Sequence, residues 1–206
     1  MKITKFEQSG VIFETNGGFR LALDIGKYTP LEKLAGVTAD AVIVSHIHGD
    51  HFSLDQIKKL SPKKLYLGSE CKEALGRAKF PFEIVEIKAG DHIDTGGIVV
   101  DIFSVDHGPN ASPSLRDNFG FLITVDGEKI YFAGEMFYES GIEVKNLEVD
   151  YAFFPIGTFY TFGPNEAFNF AKKFKKIGKI ILMHYEKTPE TRNQFLKLSE
   201  GHFVVE

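Results

Sequence analysis

The sequence is poor in the residues that define several large classes of protein. Only one of its 206 residues is a cysteine, Cys71, so no internal disulfide can form and no thiolate-built zinc module is possible. Tryptophan is absent. No run approaches the roughly 18 apolar residues a membrane-spanning helix needs. The opening stretch, Met1–Glu7, alternates like a strand and lacks the apolar core of a secretory signal. Together with the single thiol, this predicts a cytoplasmic protein that does not engage a membrane. Positive charge is also short: 24 Lys and Arg against 28 Asp and Glu leave a net charge of −4, so there is no basic field to hold nucleic acid. Neither a Gly-x-Ser-x-Gly elbow, a phosphate loop nor a dinucleotide fingerprint occurs. Any transition-metal chemistry must therefore rest on imidazole and carboxylate, and seven histidines are present.

Hydrophobic residues at 43% and charged residues at 25% describe an ordinary globular chain, long enough for one large domain. Strand patterns at 11–15 and 19–25 flank Asn16-Gly17-Gly18, a hairpin in which Asn-Gly supplies the positive φ. The apolar run 41–44 fits a strand buried on both faces. Helices are predicted over 30–36, 54–60 with Ser53 as N-cap, 70–78 capped by Ser69, 164–177 and 189–198. Further strands are predicted at 64–67, 83–87, 98–106, 119–125, 129–133, 150–154, 179–183 and 203–205. There is no repeat and no linker. The predicted fold class is α+β: two mixed sheets packed face to face with helices outside, one domain over 1–206 with two structurally similar halves.

The informative segment is Ser45-His46-Ile47-His48-Gly49-Asp50-His51, between the apolar strand and the helix that follows Ser53. In extended backbone His46 and His48 point the same way, and Gly49 lets the chain turn so that Asp50 and His51 face an adjacent point. One loop could thus serve two metal ions. The alternatives at this stage are a merely His-rich polar loop and a closed structural zinc site. The first brings titrating groups together at a desolvation cost, and the second needs fewer ligands than are present.

His46-x-His48-x-Asp50-His51 after an apolar strand resembles the signature of the metallo-β-lactamase superfamily, whose fold is an αβ/βα sandwich. The likeness runs along the chain through Gly120–Ile123, Ile130–Glu135, Pro155-Ile156-Gly157, Thr161–Pro164 and Met183-His184-Tyr185. It is nearest the small metal-dependent hydrolases related to ascorbate-phosphate lactonase. The resemblance implies that His46, His48 and His107 hold one divalent metal ion and Asp50, His51 and His184 a second, with zinc first and manganese or iron possible. Glu135 stands where the family carries a bridging Asp. Its extra C–C bond, roughly 1.5 Å, lets it bridge only from a backbone set further back; otherwise it binds one ion or swings out. Asp24 resembles the carboxylate that orients a metal-bound imidazole.

The implied activity is hydrolysis by a metal-bound hydroxide, with Asp50 as catalytic residue, acting on a small-molecule ester, lactone or phosphodiester. Two alternatives stay open: a nuclease of the same superfamily, against which the net charge counts, and a metal-binding sensor or scaffold without turnover, suggested by Glu135. Arg116, Ser112 and Ser114 form a polar loop after His107, with Arg116 a candidate for an anionic group. Phe159, Tyr160 and Phe162 are candidates for a pocket wall. Lys172, Lys173, Lys175 and Lys176 read as the wet face of a helix, Cys71 as inert packing, and His92 and His202 as surface or structural residues.

Overall fold

The computed structural model describes residues 1–110 and 115–206. Ser112 and Ser114, expected in a polar loop, lie outside the described residues. Among those described, twelve strands form two mixed sheets of six. The first sheet holds β1 (Lys2–Lys5), β2 (Val11–Glu14), β3 (Arg20–Leu23), β4 (Ala41–Ile43), β5 (Lys64–Leu67) and β6 (Glu83–Glu86), in that order. The second holds β7 (His92–Asp94), β8 (Ile98–Ser104), β9 (Phe119–Val125), β10 (Glu128–Phe132), β11 (Glu148–Pro155) and β12 (Lys176–Met183). Four α-helices accompany them: α1 (Leu54–Leu60), α2 (Ser69–Leu75), α3 (Pro164–Ala171) and α4 (Pro189–Ser199).

Period-two alternation explains why so many strands are apolar throughout. In β2, Val11 and Phe13 face the opposite sheet while Ile12 faces outward; in β4, Ala41 and Ile43 face in and Val42 out. The second sheet mirrors this, with Phe153, Ile181 and Met183 inside and Phe154, Ile180 and Leu182 outside. The inner layer closes through contacts such as Phe13 against Phe153, edge to face at 5.7 Å. Residues of α1 and α2 cover the outer face of the first sheet, and residues of α3 and α4 that of the second. The predicted sandwich with helices outside is the observed architecture.

Several boundaries differ from expectation. The helix expected over 30–36 is a single 3₁₀ turn, Leu31–Leu34. The hairpin's positive φ, 85°, falls on Gly18. Ser69 is the first residue of α2 rather than its cap; the carboxylate of Asp117 instead accepts from the Ser69 hydroxyl and the Glu70 amide, both at 2.9 Å. The helix expected over 164–177 stops at Ala171, because the amides of Lys175 and Lys176 donate to the Leu147 carbonyl and draw the chain into β12 beside β11. Its lysines are therefore split between a turn and a strand. At 203–205 there is only a single bridge, Ile180 to Val205.

One core group is anomalous. Tyr131 is fully buried among Phe103, Phe154, Phe170 and Phe174, and its hydroxyl has no hydrogen-bond partner among the described residues. A buried unpaired hydroxyl costs about 1–3 kcal/mol. Tyr131→Phe is therefore expected to stabilise the protein by about 1 kcal/mol, a rise in Tm of roughly 2–4 °C. A fall in Tm in a thermal melt would contradict this.

Candidate metal centre

Five strand ends build the site. In the first sheet β3 and β4 are parallel, so Asp24 and the loop 45–51 leave from neighbouring ends. In the second sheet β8 and β10 are each antiparallel to β9, and β10, β11 and β12 are parallel. The chain beyond β8, β10 and β12 thus emerges on one edge, carrying His107, Glu135 and His184. The sheets are tied there by the Phe119 amide donating to the Ser45 carbonyl at 3.2 Å. The His loop folds tightly, with the amides of His51 and Phe52 both donating to the His48 carbonyl at 2.9 and 2.8 Å. Gly26 lets the loop after β3 reach it, since a Cβ there would lie 2.1 Å from the Asp50 backbone. The backbone is left-handed at Asp24 and His184, with φ of 48° and 59°, a conformation that persists only where surroundings impose it.

The side chains converge in two groups that share one residue. His46, His48, His107 and Glu135 offer ligand atoms within 4.8 Å of one another, and so do Asp50, His51, Glu135 and His184. Glu135 Oε2 lies 3.0 Å from His46 Nε2 and 3.5 Å from His48 Nδ1, and it is hydrogen-bonded to His107 Nε2. Its other oxygen, Oε1, lies 3.6 Å from His51 Nε2 and 3.3 Å from His184 Nδ1. Each oxygen therefore faces a different group. Asp50 Oδ2 stands 3.9 Å from His51 Nε2. A cavity of about 520 Å³ opens onto His48, Asp50, Glu135 and His184.

Burial and charge explain the protonation of the centre. Burial alone would raise the Glu135 carboxyl, but the His184 and His51 charges, the bond from His107 and the neighbouring His46 imidazole hold it well below its usual range. Burial and the neighbouring His51 charge push His46 down to about 4, leaving that imidazole neutral at pH 7. His51 goes the other way: burial is outweighed by Asp24 and Glu135, and its pKa rises well above 6.5. Neutral, buried imidazole is the form that binds cations. His46 Nε2 is buried without hydrogen-bond geometry to any described residue, as an open ligand position requires. The donor set of five imidazoles and two carboxylates fits divalent metal.

Asp24 contacts an imidazole of the centre. Its Oδ2 lies 2.8 Å from His51 Nδ1 and accepts from the Ser45 hydroxyl at 2.7 Å, while Oδ1 accepts from the Ser45 amide at 2.8 Å. Sequence reasoning missed Ser9, fully buried, whose Oγ lies 3.1 Å from His184 Nε2 and 3.2 Å from His51 Nδ1. It also missed Gln8, Tyr28 and Lys187, which line the cavity with Phe159 and Tyr160. No local pattern marks any of them, because the topology alone brings them to this edge. Phe162 is buried in the core, and Arg116 forms an exposed pair with Glu73 on α2 rather than reaching the cavity. His92 and His202 are on the surface, His92 paired with Asp101 at 2.6 Å.

The Asp24–His51 pair generates a prediction for metal-free protein. Burial would raise Asp24, yet the His51 charge and the bonds from His51 and Ser45 bring it below 3.8. A depressed carboxylate stabilises above its unfolded pKa, and that contribution fades as pH falls through the folded value. A raised imidazole stabilises below 6.5, fading as pH rises through its folded value. Asp24→Asn, which keeps the shape and tolerates the left-handed backbone, is expected to cost about 1.5–3 kcal/mol. The gap should be widest between pH 3.8 and 6.5 and narrow on both sides. Denaturant melts across pH read it; a pH-independent difference would contradict the ion pair.

A family model described as the beta-lactamase superfamily domain matches residues 2–182. Among curated proteins, a metal-dependent hydrolase of the UPF0173 group from Thermococcus onnurineus is 28% identical over 184 residues, covering 86% of this chain and 82% of its own. Among solved structures, the metallo hydrolase Igni18 from Ignicoccus hospitalis superposes with a TM-score of 0.77 at 22% identity, covering 99% of this chain and 93% of that one. YhfI from Bacillus subtilis, a metallo-beta-lactamase fold protein, gives 0.74 at 18% identity, with 97% and 88% covered. With the sandwich, the strand-end histidines and the matched span in agreement, the chain belongs to the metallo-β-lactamase superfamily.

Proposed function

We propose that this protein is a metal-dependent hydrolase that holds two divalent cations, zinc first among them, and cleaves a small-molecule ester, lactone or phosphodiester. The observation that carries the reading is the Glu135 carboxylate, whose two oxygens face separate imidazole groups. His46, His48 and His107 would hold one ion and Asp50, His51 and His184 the other, with Glu135 common to both. When bound, such a pair supplies Lewis acidity and acidifies water near neutral pH. The curated relatives are named metal-dependent hydrolases, which supports the reaction class.

The chain's own residues divide the remaining work. Asp24 fixes the tautomer and direction of His51 through Nδ1, leaving Nε2 facing the centre. His46, His51 and Glu135 are nearly closed to solvent, whereas His48 and Asp50 face the cavity with roughly a fifth to a quarter of each side chain exposed, 24% and 21%. Asp50 is thus the carboxylate placed to accept a proton from an attacking water and return it to a leaving oxygen. Glu135 reaches both groups from a backbone set by Gly134 at φ 63°, where a Cβ would lie 2.3 Å from the Phe119 carbonyl oxygen.

Chelation is expected to abolish turnover of aryl esters, lactones and bis-aryl phosphates, and zinc, manganese or iron added singly to restore it. Glu135→Asp, shorter by roughly 1.5 Å, is expected to lower kcat at least tenfold, about 1.4 kcal/mol of lost transition-state stabilisation. A metal-reconstituted protein inactive on all three classes would overturn the hydrolase reading. A large rate gain in Glu135→Asp would instead favour a sensor or scaffold.

A further inference from the structure

The cavity above the candidate metal centre carries an outer zone that the hydrolytic reading leaves unused. Tyr28, from the loop after β3, and Lys187, from the loop after β12, come from different sheets and meet across the cavity. The Lys187 ammonium sits 4.0 Å above the Tyr28 ring and donates to its hydroxyl at 2.7 Å. Several other surface lysines pair with a carboxylate, as in Lys72–Glu86, Lys175–Glu148 and Lys179–Glu206. Among the described residues no carboxylate lies within 4.0 Å of Lys187. Histidines apart, it is the one cationic side chain among the described residues that line the cavity.

Exposed aromatic side chains line the same cavity. Phe159 and Tyr160 are 62% and 53% exposed, while Phe162 in the same loop is 3% exposed in the core, so the first two serve no packing purpose. Their rings meet edge to face at 4.7 Å, and the Phe159 carbonyl accepts from Asn110 Nδ2, which fixes the loop against the segment after His107. A cavity lined by a cation with no described carboxylate within 4.0 Å and by exposed rings suits a ligand with an apolar body and an anionic end. A neutral ester would leave the lysine with nothing to do.

We propose that Lys187, steadied by Tyr28, recognises an anionic carboxylate or phosphate group on the substrate, remote from the bond that is cleaved, while Phe159 and Tyr160 hold the substrate's apolar body. Tyr28 is here a positioning residue, since it acts by fixing the ammonium. The proposal rests on the hydrolase reading above for its substrate, but its binding step can be measured apart from turnover.

Two measurements test it. In the zinc-loaded protein, kcat/KM is compared for para-nitrophenyl butyrate and for para-nitrophenyl hemiglutarate, which differ in a distal carboxylate, with phenyl phosphate as a competing anion. The ratio of hemiglutarate to butyrate is expected to fall roughly tenfold in Lys187→Met, the loss of one charge-assisted hydrogen bond, and to be restored largely by Lys187→Arg. In the metal-free protein, calorimetry should show phenylpropionate binding more tightly than its neutral amide, with the difference lost in Lys187→Met. Stronger competition by phenyl phosphate than by phenylpropionate would assign the anion as phosphate, and the reverse as carboxylate. If neither ester is cleaved, and lactones and bis-aryl phosphates are not cleaved either, but the calorimetric difference holds, the hydrolase reading fails and the anion site stands. An unchanged ester ratio, or equal binding of acid and amide, would overturn the anion site itself.

Discussion

A single buried carboxylate organises the open edge of this sandwich. Glu135 places its two oxygens against separate groups of imidazoles, and nearly every other feature of the site either delivers a histidine to it or fixes its position. A carboxylate almost closed to solvent is tolerable only where charge and hydrogen bonds replace lost hydration. Here the compensating groups come from both sheets: His46, His48 and His51 from the first, His107 and His184 from the second. The centre therefore exists only when the two sheets are docked.

That docking is the work of the inner apolar layer. Alternating side chains of β2, β3 and β4 meet those of β8 to β12, and the same alternation sends other apolar residues outward to the helices. Strands buried on both faces set their ends rigidly, and rigid ends are what a multi-ligand centre needs. The two left-handed residues at the site, Asp24 and His184, sit where strands turn sharply to present a side chain. Asp24 uses the turn to reach Ser45 and His51; the strain is stored at the point where orientation matters most.

Much of this was legible in the sequence because it is local. Apolar strand patterns mark β2, β4 and β9 within a residue of their observed ends, and the His46–His51 cluster lies within one loop. The failures are non-local. Phe174 continues the helical pattern of α3 and is indeed buried, yet the helix ends earlier because the Leu147 carbonyl captures the following amides. β7 is three residues of mixed polarity, recognisable only through its pairing with β8. Ser9, Tyr28 and Lys187 carry no local signature, and each gains meaning from residues more than forty positions away. The substitution of Glu for Asp at 135 was visible as a departure, while its reach to both groups depends on backbone placement that no spacing encodes.

The central claim is that Glu135 joins two ligand groups into one dinuclear centre. Its most direct test is elemental analysis of protein stripped, reloaded with zinc and dialysed, for the natural chain and for Glu135→Gln. The account predicts two ions per chain in the first and no more than one firmly held in the second. A single ion in the natural chain, or two retained equally in the variant, would contradict it.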